Sequence, residues 1–573
     1  MALSLQSLVL QLAAAVLVLA LGLLLRWRSG GGRRYHPVAG TLLQQLLHFR
    51  RLYHYQTDVS RRYRTFRMLS PFRCDIYTTD PAVVEHVLRT NFQNYGKGAY
   101  NYEIMTDLLG DGIFAVDGSK WRHQRKLASY EFSTRTLRDY SGAVFKKNAT
   151  KLASAVGEAS AVGLVMDVQV NPPPLSHKLV ICCFPYFFLA SEFPKKNILD
   201  YCRMVHDRKG KSRSPSRPVF SVVSQDWFMK STMDSIFEVA FGIELNCLRG
   251  SSSEDAEFVR AFDESSALIM WRFLNPFWKL SRLLNLGSEA TLKKNIKRVD
   301  DYVYKLILSK LAQMNSQQDD YCTHAKKEDI LSRFLLESER DAEKMDLKYL
   351  RDIILNFLIA GKDTTAGTLS WFFFLLCKHP SVQAKIAQEV VGAVRDGETA
   401  SSFKEFAANI TEDALEKMQY LHAALSETLR LYPAVPLDPK VCFSDDTLPD
   451  GYDVRRGEVI TFQPYAMGRM EYLWGEDAEV FRPERWLDAD GLFCPQSPFK
   501  FTAFQAGPRL CLGREFAYRQ MKTIAAVLLR FFVFELSDEK KAVNYKTMLT
   551  LHIDQGLQLH AFERRMTDSV VFL

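Results

Sequence analysis

"FTAFQAGPRLCLGREF" occupies residues 501–516 and places a single cysteine, Cys511, between Gly507 and Gly513. A disulfide needs a second cysteine and a zinc site needs several ligands, and this stretch supplies neither. The glycines permit a tight turn that aims backbone N–H groups at the sulfur. The periodicity of residues 514–532 predicts a helix just after the cysteine, and its dipole and these donors favour a thiolate. We therefore expect Cys511 to hold a metal ion alone.

The composition is that of a globular protein with a large core, since 47% of the 573 residues are hydrophobic and 24% are charged. The ten cysteines include no C-x-x-C pair, which favours a reducing compartment with unpaired thiols. Residues 170–225 hold nine Lys or Arg and three Asp or Glu, so they contribute +6 of the net charge of +8. No repeated platform of aromatic and basic residues accompanies this charge, and we expect no nucleic-acid partner.

The N-terminus carries an apolar run of 18 residues, from Leu8 to Leu25, in which only Gln11 is polar. Such a run just crosses a hydrocarbon core of roughly 30 Å. No basic segment precedes it and no small-x-small site follows it, so an uncleaved anchor is favoured over a cleaved signal peptide. Four arginines follow and keep the rest of the chain in the cytosol by the positive-inside rule. We assign residues 1–26 to a transmembrane signal anchor and residues 27–49 to a linker.

The sequence pattern of the remaining residues, 50–573, predicts one domain that is mainly α-helical with small β-sheets. Strand-like pieces occur at 73–80, "RCDIYTTD", and within 457–468, "GEVITFQPYAMG". No internal repeat divides this region.

One segment, residues 170–225, departs from this pattern. It contains 7 of the 21 prolines and shows neither helical nor strand periodicity. Its removal joins "VMDVQ" (165–169) to an amphipathic helix predicted from "DWFMKSTMDSIFEVAFG" (226–242) without loss of pattern. The segment begins with Val, whose codons all begin GT, and ends with Gln, one of whose codons ends AG. We favour a translated, unspliced intron over a genuine basic loop that touches the membrane.

A second motif, "AGKDTT", lies in a run of helical pattern over about 346–377 that is apolar on nearly all sides. Phe357, Gly361 and Thr364 recur at i, i+4 and i+7 and share one helix face. Gly361 costs about 1 kcal/mol relative to alanine, and its small size leaves room for a ligand. Asp363 and Thr364 add an acid and a hydroxyl there, although an Asp and a Thr satisfied within the helix are the simpler alternative from these residues alone.

Three further motifs place charged residues at regular spacing. "ETLRLYP" puts Glu427 and Arg430 on one helix face, and "FRPERW" supplies Arg485. "WRHQRK" puts Trp121 and Arg125 one helical turn apart. Each motif is weak alone, since E-x-x-R occurs by chance in a long chain and basic helix surfaces are common.

Together these motifs resemble the cytochromes P450, and the resemblance covers nearly the whole chain outside residues 170–225. The haem-binding loop of that family has the pattern F-x-x-G-x-R-x-C-x-G, which is matched here by Phe504, Gly507, Arg509, Cys511 and Gly513. The resemblance implies the P450 fold, with residues 50–573 as its catalytic domain. It also implies haem b (iron protoporphyrin IX), whose iron takes Cys511 as its thiolate ligand.

The resemblance assigns roles to the other motifs. Four residues are expected to contact the haem propionates: Trp121, Arg125, Lys440 and Arg509. Thr364 is expected to hold dioxygen and its water by hydrogen bonds, and Asp363 to relay protons. A buried triad that braces the haem loop is expected from Glu427, Arg430 and Arg485.

The implied reaction is monooxygenation, in which one atom of O2 enters a C–H bond and the other leaves as water. The electrons come from NADPH through a membrane-bound NADPH–cytochrome P450 reductase. A basic docking face for that partner is expected from Lys120, Arg122, Lys126, Arg514, Arg519 and Lys522.

The segments 91–98, 427–440 and 450–486 resemble those of the plant long-chain fatty-acid omega-hydroxylases, a branch similar to family 704 of clan 86. That resemblance implies attack on a terminal methyl group and an endoplasmic reticulum location. The implied pocket includes the segment near 100–114 together with Phe357, Ala360, Val435, Pro436 and Leu437. No residue for the substrate carboxylate is identified.

Other functions stay open. The substrate of such a P450 can be a different lipophilic molecule, or the segment 170–225 can leave the product misfolded and inactive. A P450 that rearranges a hydroperoxide is disfavoured by Asp363 and Thr364, because that chemistry needs no proton relay. A non-enzymatic haem or membrane scaffold protein is the remaining alternative.

Overall fold

Helices form most of the chain in the computed structural model, which describes residues 34–70, 74–163, 165–167, 227–250, 252–275, 277–316, 329–340 and 346–564. The predicted anchor (1–26), the first part of the linker and the atypical segment (170–225) lie outside the described residues. Within these ranges, no helix combines the length and the apolar character that a membrane span requires.

The first helices in chain order are α1 (Leu42–Leu47), α2 (Leu52–Arg62), α3 (Pro81–Glu85), α4 (Gly98–Leu109), α5 (Gly118–Ser133), α6 (Arg135–Ala161), α7 (Trp227–Phe241), α8 (Ser253–Leu274), α9 (Trp278–Leu283) and α10 (Ser288–Ser316). They are followed by α11 (Ile330–Arg340), α12 (Leu347–Gly361), α13 (Asp363–Lys378), α14 (Pro380–Ala393), α15 (Phe403–Ala408), α16 (Glu412–Lys417), α17 (Gln419–Leu431), α18 (Pro464–Met467), α19 (Glu471–Trp474) and α20 (Arg514–Phe531). The mainly helical prediction is confirmed, as are the helices expected after residue 225 and after Gly513.

The largest sheet has six strands in the order β1-β2-β3-β9-β6-β4. Its members are β1 (Val38–Thr41), β2 (Thr65–Leu69), β3 (Cys74–Thr78), β4 (Tyr95–Gly96), β6 (Asp438–Cys442) and β9 (Val459–Phe462). Both predicted strand pieces lie here as β3 and β9, which pair in parallel with Ile76 opposite Ile460. The rest of the second piece turns into α18, because Pro464 occupies a first helical position that suits proline.

Three smaller sheets are formed by the remaining strands. One has the order β10-β13-β5, and two more are the pairs β7-β8 and β11-β12. Their strands are β5 (Met166–Asp167), β7 (Asp446–Thr447), β8 (Asp453–Val454), β10 (Phe532–Leu536), β11 (Tyr545–Lys546), β12 (His552–Ile553) and β13 (Gln558–Glu563). This arrangement confirms the prediction of small β-sheets.

The long helix predicted over 346–377 is broken at Lys362 into α12 and α13. The two halves belong to different core clusters: α12 packs with α7, α8 and α10, whereas α13 packs with α17, α20 and the C-terminal strands. At the break, the Thr364 hydroxyl donates to the Ala360 carbonyl at 2.6 Å, a back-bond that bends helices. The "AGKDTT" motif therefore lies where the two clusters meet.

Candidate functional site

The Cys511 loop is a tight turn held by its own backbone. Residues Gly507–Arg509 form one 3₁₀ turn, and the Cys511 N–H donates to the Phe504 carbonyl at 2.8 Å. Gly507 has φ +62°, and a Cβ there would lie 2.0 Å from the Leu88 carbonyl oxygen. Only glycine fits both requirements, so this position fixes how closely the loop approaches its neighbour.

The Cys511 side chain is accessible, yet burial is the main influence on its thiol and raises the pKa. Both facts hold if the sulfur faces a space inside the protein rather than bulk solvent. The Gly513 N–H and the charges of Arg125 and Arg514 lower the pKa, as the sequence predicts, but they are weaker than burial. The donor and the two cations therefore act in the predicted direction against burial, and a metal bound to the sulfur would favour the thiolate further.

Three predicted cofactor residues meet beside this loop. The Arg509 guanidinium lies over the Trp121 ring at 4.4 Å and donates to the Asp117 carboxylate. Arg125 lies close enough to Cys511 and Arg509 for their charges to act on its pKa, which burial lowers. The Arg509 Nε is buried and has no hydrogen-bond partner in the described part of the chain. This group therefore has donor capacity left for an anionic ligand.

Lys440 is buried next to Asp438, and the two form an ion pair. Burial lowers the pKa of Lys440 to about 7, against the effect of Asp438 and with help from the positive charges of Lys97 and Arg509. Its ammonium group is committed to Asp438 rather than directed to an open anion site.

Counted together, this cluster has more positive than negative charge. Four cations, Lys97, Arg125, Lys440 and Arg509, face the two carboxylates of Asp117 and Asp438. With Lys440 protonated, two positive charges remain uncompensated in a largely buried region, which is costly unless an anion neutralises them. An anion bound here also favours the protonated form of Lys440. The cluster therefore suits a ligand that carries two carboxylates. Sequence reasoning missed Lys97, Asp117 and Asp438. Lys97 and Asp438 lie in the segments 91–98 and 427–440, but no spacing indicates that their charges meet, because their contacts join distant parts of the chain.

The helix pair α12–α13 presents one accessible strip toward the interior. Between residues 350 and 373, every residue is buried except Phe357, Ala360, Gly361 and Thr364. These four share one face, as the spacing predicts. The strip is apolar along Phe357 and Ala360 and ends at a hydroxyl.

Gly361 has a different function from the one expected. A Cβ on this residue would lie 2.6 Å from the Ile236 side chain of α7, so the missing side chain lets α7 and α12 pack closely. The prediction that it leaves room for a ligand is wrong, because Ile236 fills that space.

Asp363 is buried and is not one of the accessible residues of the strip. Its Oδ1 lies 3.0 Å from the Lys362 ammonium but has no hydrogen-bond partner of good geometry in the described chain. Lys362 also contacts Asp263 of α8. His552 of β12 lies close enough for the charge of Asp363 to raise its pKa, against the larger effect of burial. The acid and the hydroxyl are adjacent in sequence, but they face different surroundings.

The predicted triad forms one buried cluster. Arg430 donates twice to the Glu427 carboxylate, at 2.7 Å each, and Arg485 donates to it at 3.3 Å. Glu427 and Arg430 have no exposed side-chain surface. Both arginines also donate to backbone carbonyls of the segment 468–480, including that of Trp474 at 2.7 Å from Arg485. The charges are thus paired, and the donors hold the chain that leads toward the Cys511 loop.

The predicted pocket residues divide into two groups. Phe357 packs against Phe132 and Phe334, with ring centroids 5.8 and 6.4 Å apart, and the Phe114 N–H donates to the neighbouring Asn356. The segment near 100–114 therefore lies against α12, as expected. In the other group, Val435 is exposed, Leu437 is half-buried, and Pro436 is buried with its carbonyl toward Tyr465.

The predicted basic docking face is incomplete. Lys522 is buried and donates to the Leu415 carbonyl at 2.7 Å, and burial lowers its pKa to about 8. It cannot belong to a surface, since its position on α20 turns it toward α16. Arg519 is partly buried and pairs with Glu412 at 2.9 Å. Four of the expected residues remain at the surface: Lys120, Arg122, Lys126 and Arg514.

Comparison with known proteins identifies the family. The sequence profile of the family described as Cytochrome P450 matches residues 192–559. Cytochrome P450 704C1 of Pinus taeda is 46% identical over 553 residues, which cover 95% of this chain and 94% of that protein. The chain belongs to the cytochrome P450 family. Cytochrome P450 704B1 of Arabidopsis thaliana is 38% identical over 564 residues, which cover 94% of this chain and 96% of that protein. This confirms the predicted likeness to the 704 branch. Cytochrome P450 86B1 of the same plant is 34% identical over 570 residues (98% and 91%).

Membership of the P450 family makes the protein a monooxygenase that uses haem iron and O2, with electrons from NADPH through a reductase. Its substrate is a small lipophilic molecule. The residues around Cys511 fit haem, because they combine a sulfur ligand with an excess of two positive charges, and haem carries two propionates.

Proposed function

We propose that this P450 hydroxylates the terminal methyl carbon of long-chain fatty acids. The observation that carries the proposal is the accessible strip on α12 and α13, where the apolar residues Phe357 and Ala360 lead to the hydroxyl of Thr364. An extended hydrocarbon chain laid along this strip brings its end, rather than its middle, to the hydroxyl. Terminal C–H bonds are stronger than internal ones, so end-on presentation must decide the position of attack.

The overall reaction consumes the fatty acid, O2, NADPH and one proton, and it yields the terminal alcohol, water and NADP⁺. Bound haem supplies oxygen activation at its iron, and a thiolate ligand favours cleavage of the O–O bond. We assign Cys511 as that ligand. Trp121, Arg125 and Arg509 are assigned to the propionates, while Lys440, which pairs with Asp438, is not assigned a direct contact.

The chain itself must supply protons and keep bulk water out. Thr364 donates its own proton to the Ala360 carbonyl, so the lone pairs of its oxygen are free to accept hydrogen bonds within the strip. Asp363 is the neighbouring acid, and we assign proton transfer to its carboxyl group. The aromatic contacts of Phe357 with Phe132 and Phe334 close one side of the strip against water. The triad of Glu427, Arg430 and Arg485 is assigned a structural role below the loop.

We place the protein at the endoplasmic reticulum membrane, anchored by residues 1–26 with its catalytic domain in the cytosol. An apolar surface on and around α9 supports contact with a lipid surface: Phe277, Leu280, Leu283, Leu284 and Leu286 are all more than half exposed. The ring contact between Phe49 and Trp271, at 6.5 Å, brings the chain after α1 close to the end of α8. Leu43 and Leu47 of α1, also exposed, therefore extend that surface.

The reductase is assigned to the face that carries Lys120, Arg122, Lys126 and Arg514. Three of these cations lie on α5, the helix that also holds Arg125. The fourth, Arg514, begins α20, the helix that follows Cys511. Electron transfer there has a short path to the sulfur.

Turnover of the membrane-bound protein with reductase, NADPH and a C16 or C18 fatty acid tests the proposal. Mass spectrometry should find the terminal hydroxy acid as the main product. Products hydroxylated only within the chain, or no oxidised fatty acid, would overturn the substrate assignment. The reduced carbon monoxide difference spectrum is measured first: a thiolate-haem spectrum excludes the scaffold and misfolded alternatives, and its loss in Cys511→Ala identifies the ligand.

A further inference from the structure

The ammonium group of Lys362 is shared between two carboxylates from different elements. It contacts Asp263 of α8 directly and lies 3.0 Å from Asp363, the first residue of α13. Only the contact with Asp263 has the geometry of a hydrogen bond. Lys362 itself is buried, and its carbonyl oxygen accepts a hydrogen bond from the Thr232 hydroxyl of α7 at 3.2 Å. This bond holds the backbone from which the shared ammonium group extends.

The two carboxylates differ in access. The Asp263 side chain is 27% exposed, whereas that of Asp363 is 6% exposed. Burial raises the pKa of Asp263 to about 6, with Asp363 and Glu264 adding to the rise and Lys362 opposing it. Two carboxylates that compete for one ammonium group favour protonation of one of them, and the more accessible one exchanges protons more readily.

The other charged groups around this cluster do not replace Asp263. Burial lowers the pKa of His552 to about 4, so this residue of β12 is neutral in the range where Asp263 titrates. Burial also lowers the pKa of Lys546 on β11, and Asp554 attracts this lysine more strongly than Asp263 does. Asp263 is therefore the group that decides where the positive charge of Lys362 is directed.

We propose that Asp263 is a positioning residue for Asp363: by engaging Lys362, it prevents that ammonium group from locking Asp363 into a full ion pair. The Asp363 carboxyl then stays free to relay a proton toward Thr364. When Asp263 is protonated or is replaced by asparagine, Lys362 turns to Asp363, pairs with it fully and impairs proton delivery. This inference rests on the proposed role of Asp363 but not on the identity of the substrate.

The test compares the wild-type protein with Asp263→Asn, Asp263→Glu and a control, Glu257→Gln. Glu257 lies on the same helix and pairs with Arg298 at 2.9 Å, so the control removes the same charge without touching Lys362. The readout is coupling, the product formed per NADPH consumed, with hydrogen peroxide as the alternative product. Haem content from the carbon monoxide spectrum corrects for folding.

We expect coupling in D263N to fall about tenfold, less than the roughly 10²–10⁴-fold effect of removing a direct general acid. Wild-type coupling should rise as the pH is raised through about 6, where Asp263 ionises and takes up Lys362. D263N should stay low at every pH, with a larger solvent deuterium isotope effect, while E257Q follows the wild type and D263E recovers much of the coupling. A structural ion pair alone would change haem content or stability but not this pH profile.

Two results would overturn the inference. One is D263N coupling equal to that of E257Q at full haem content. The other is wild-type coupling that does not change between about pH 5 and about pH 7, a measurement that needs no variant if D263N fails to load haem. Asp363→Asn separates this failure from that of the proposed function: if D363N uncouples and D263N does not, only the role of Asp263 is wrong.

A readout without turnover is thermal unfolding. The folded pKa of Asp263 is raised above its unfolded value of ~3.9, so its ionisation destabilises the folded protein as pH rises from ~4 to ~6. The Tm of the wild type relative to D263N should therefore fall across that range. A difference that is independent of pH would show that Asp263 does not titrate there and would contradict the proposal.

Discussion

At the scale of single residues, the Cys511 loop depends on a backbone shape rather than on side-chain contacts. Gly507 combines a positive φ with a close approach to the Leu88 carbonyl, and Gly287 has a similar φ of +57° with open space around it. Alanine substitutions at the two positions therefore separate the cost of placing a side chain at positive φ from the cost of its overlap with the Leu88 carbonyl.

We predict that Gly507→Ala abolishes haem binding, whereas Gly287→Ala keeps it. Both variants place a side chain at positive φ, at a cost of roughly 1–2 kcal/mol, and only G507A adds an overlap with backbone, worth about 1–3 kcal/mol or more. The measurement is haem content by the carbon monoxide spectrum together with the free energy of unfolding in urea. Equal losses in the two variants would show that the overlap does not matter.

The Glu427 cluster makes a second residue-scale prediction. Glu427→Gln keeps the shape but leaves the buried guanidinium group of Arg430 without its counter-ion and leaves Arg485 with Asp477 alone, which should cost about 3–5 kcal/mol. Glu479→Gln is the control, because Glu479 pairs with Arg61 at the surface and such pairs contribute ~0–1 kcal/mol. Urea unfolding of both variants checks this, and a loss of under about 1 kcal/mol in E427Q would contradict a structural role for the triad.

At the scale of elements, α17 and α20 meet through stacked rings. His422 of α17 stacks on Tyr518 of α20 with ring centroids 4.1 Å apart, and it also contacts Phe493 at 4.2 Å. Burial, with the charges of Lys522 and Arg514, lowers the pKa of His422 to about 3. The contact therefore requires a neutral imidazole.

This contact predicts a loss of stability in acid. The folded pKa of His422 lies below its unfolded value of ~6.5, so its contribution is complete above about pH 6.5 and declines as pH falls. By about pH 5 the unfolded state gains ~2 kcal/mol from protonation. His422→Phe keeps a stacked ring but cannot titrate, so its unfolding free energy should fall less steeply between about pH 6.5 and about pH 5. Identical slopes for both proteins would mean that His422 titrates normally.

At the scale of the whole molecule, the atypical segment 170–225 separates two elements that already have their partners. β5 pairs with β13 through Met166 opposite Leu559, and α7 is buried between α6, α12 and α13. Neither element needs the intervening residues for the contacts that the structure describes. Whether the segment is an unspliced intron or a genuine loop stays a prediction, and the family profile matches part of it, from residue 192 onward.

We predict that deletion of residues 170–225 yields a protein with haem content and Tm at least equal to those of the full chain. The removed residues carry a charge of +6 and no periodic pattern, and the elements on both sides keep the contacts that the structure describes. Loss of the carbon monoxide signal on deletion would favour a genuine loop. Sequencing of transcripts gives an independent check, because an intron must be absent from some of them.

Local spacing in the sequence was enough to predict the cysteine loop, the charged triad and the strip on α12 and α13. A glycine at a fixed offset, an E-x-x-R pair and an i, i+4, i+7 repeat have the same geometry wherever the chain places them. The resemblance to P450s that these motifs carried then proved correct.

The packing of distant elements, by contrast, fixes which groups lie opposite each residue. Gly361 meets Ile236, Lys522 turns inward to Leu415, and Lys362 finds a second carboxylate on Asp263, 99 positions earlier in the chain. The charges of Lys97, Asp117 and Asp438 likewise converge from separate elements. Such contacts depend on how helices and sheets cross, and helical or strand periodicity contains no information on crossing. For that reason the sequence identified the chemistry of the loop, and the packing decided the electrostatic environment in which it operates.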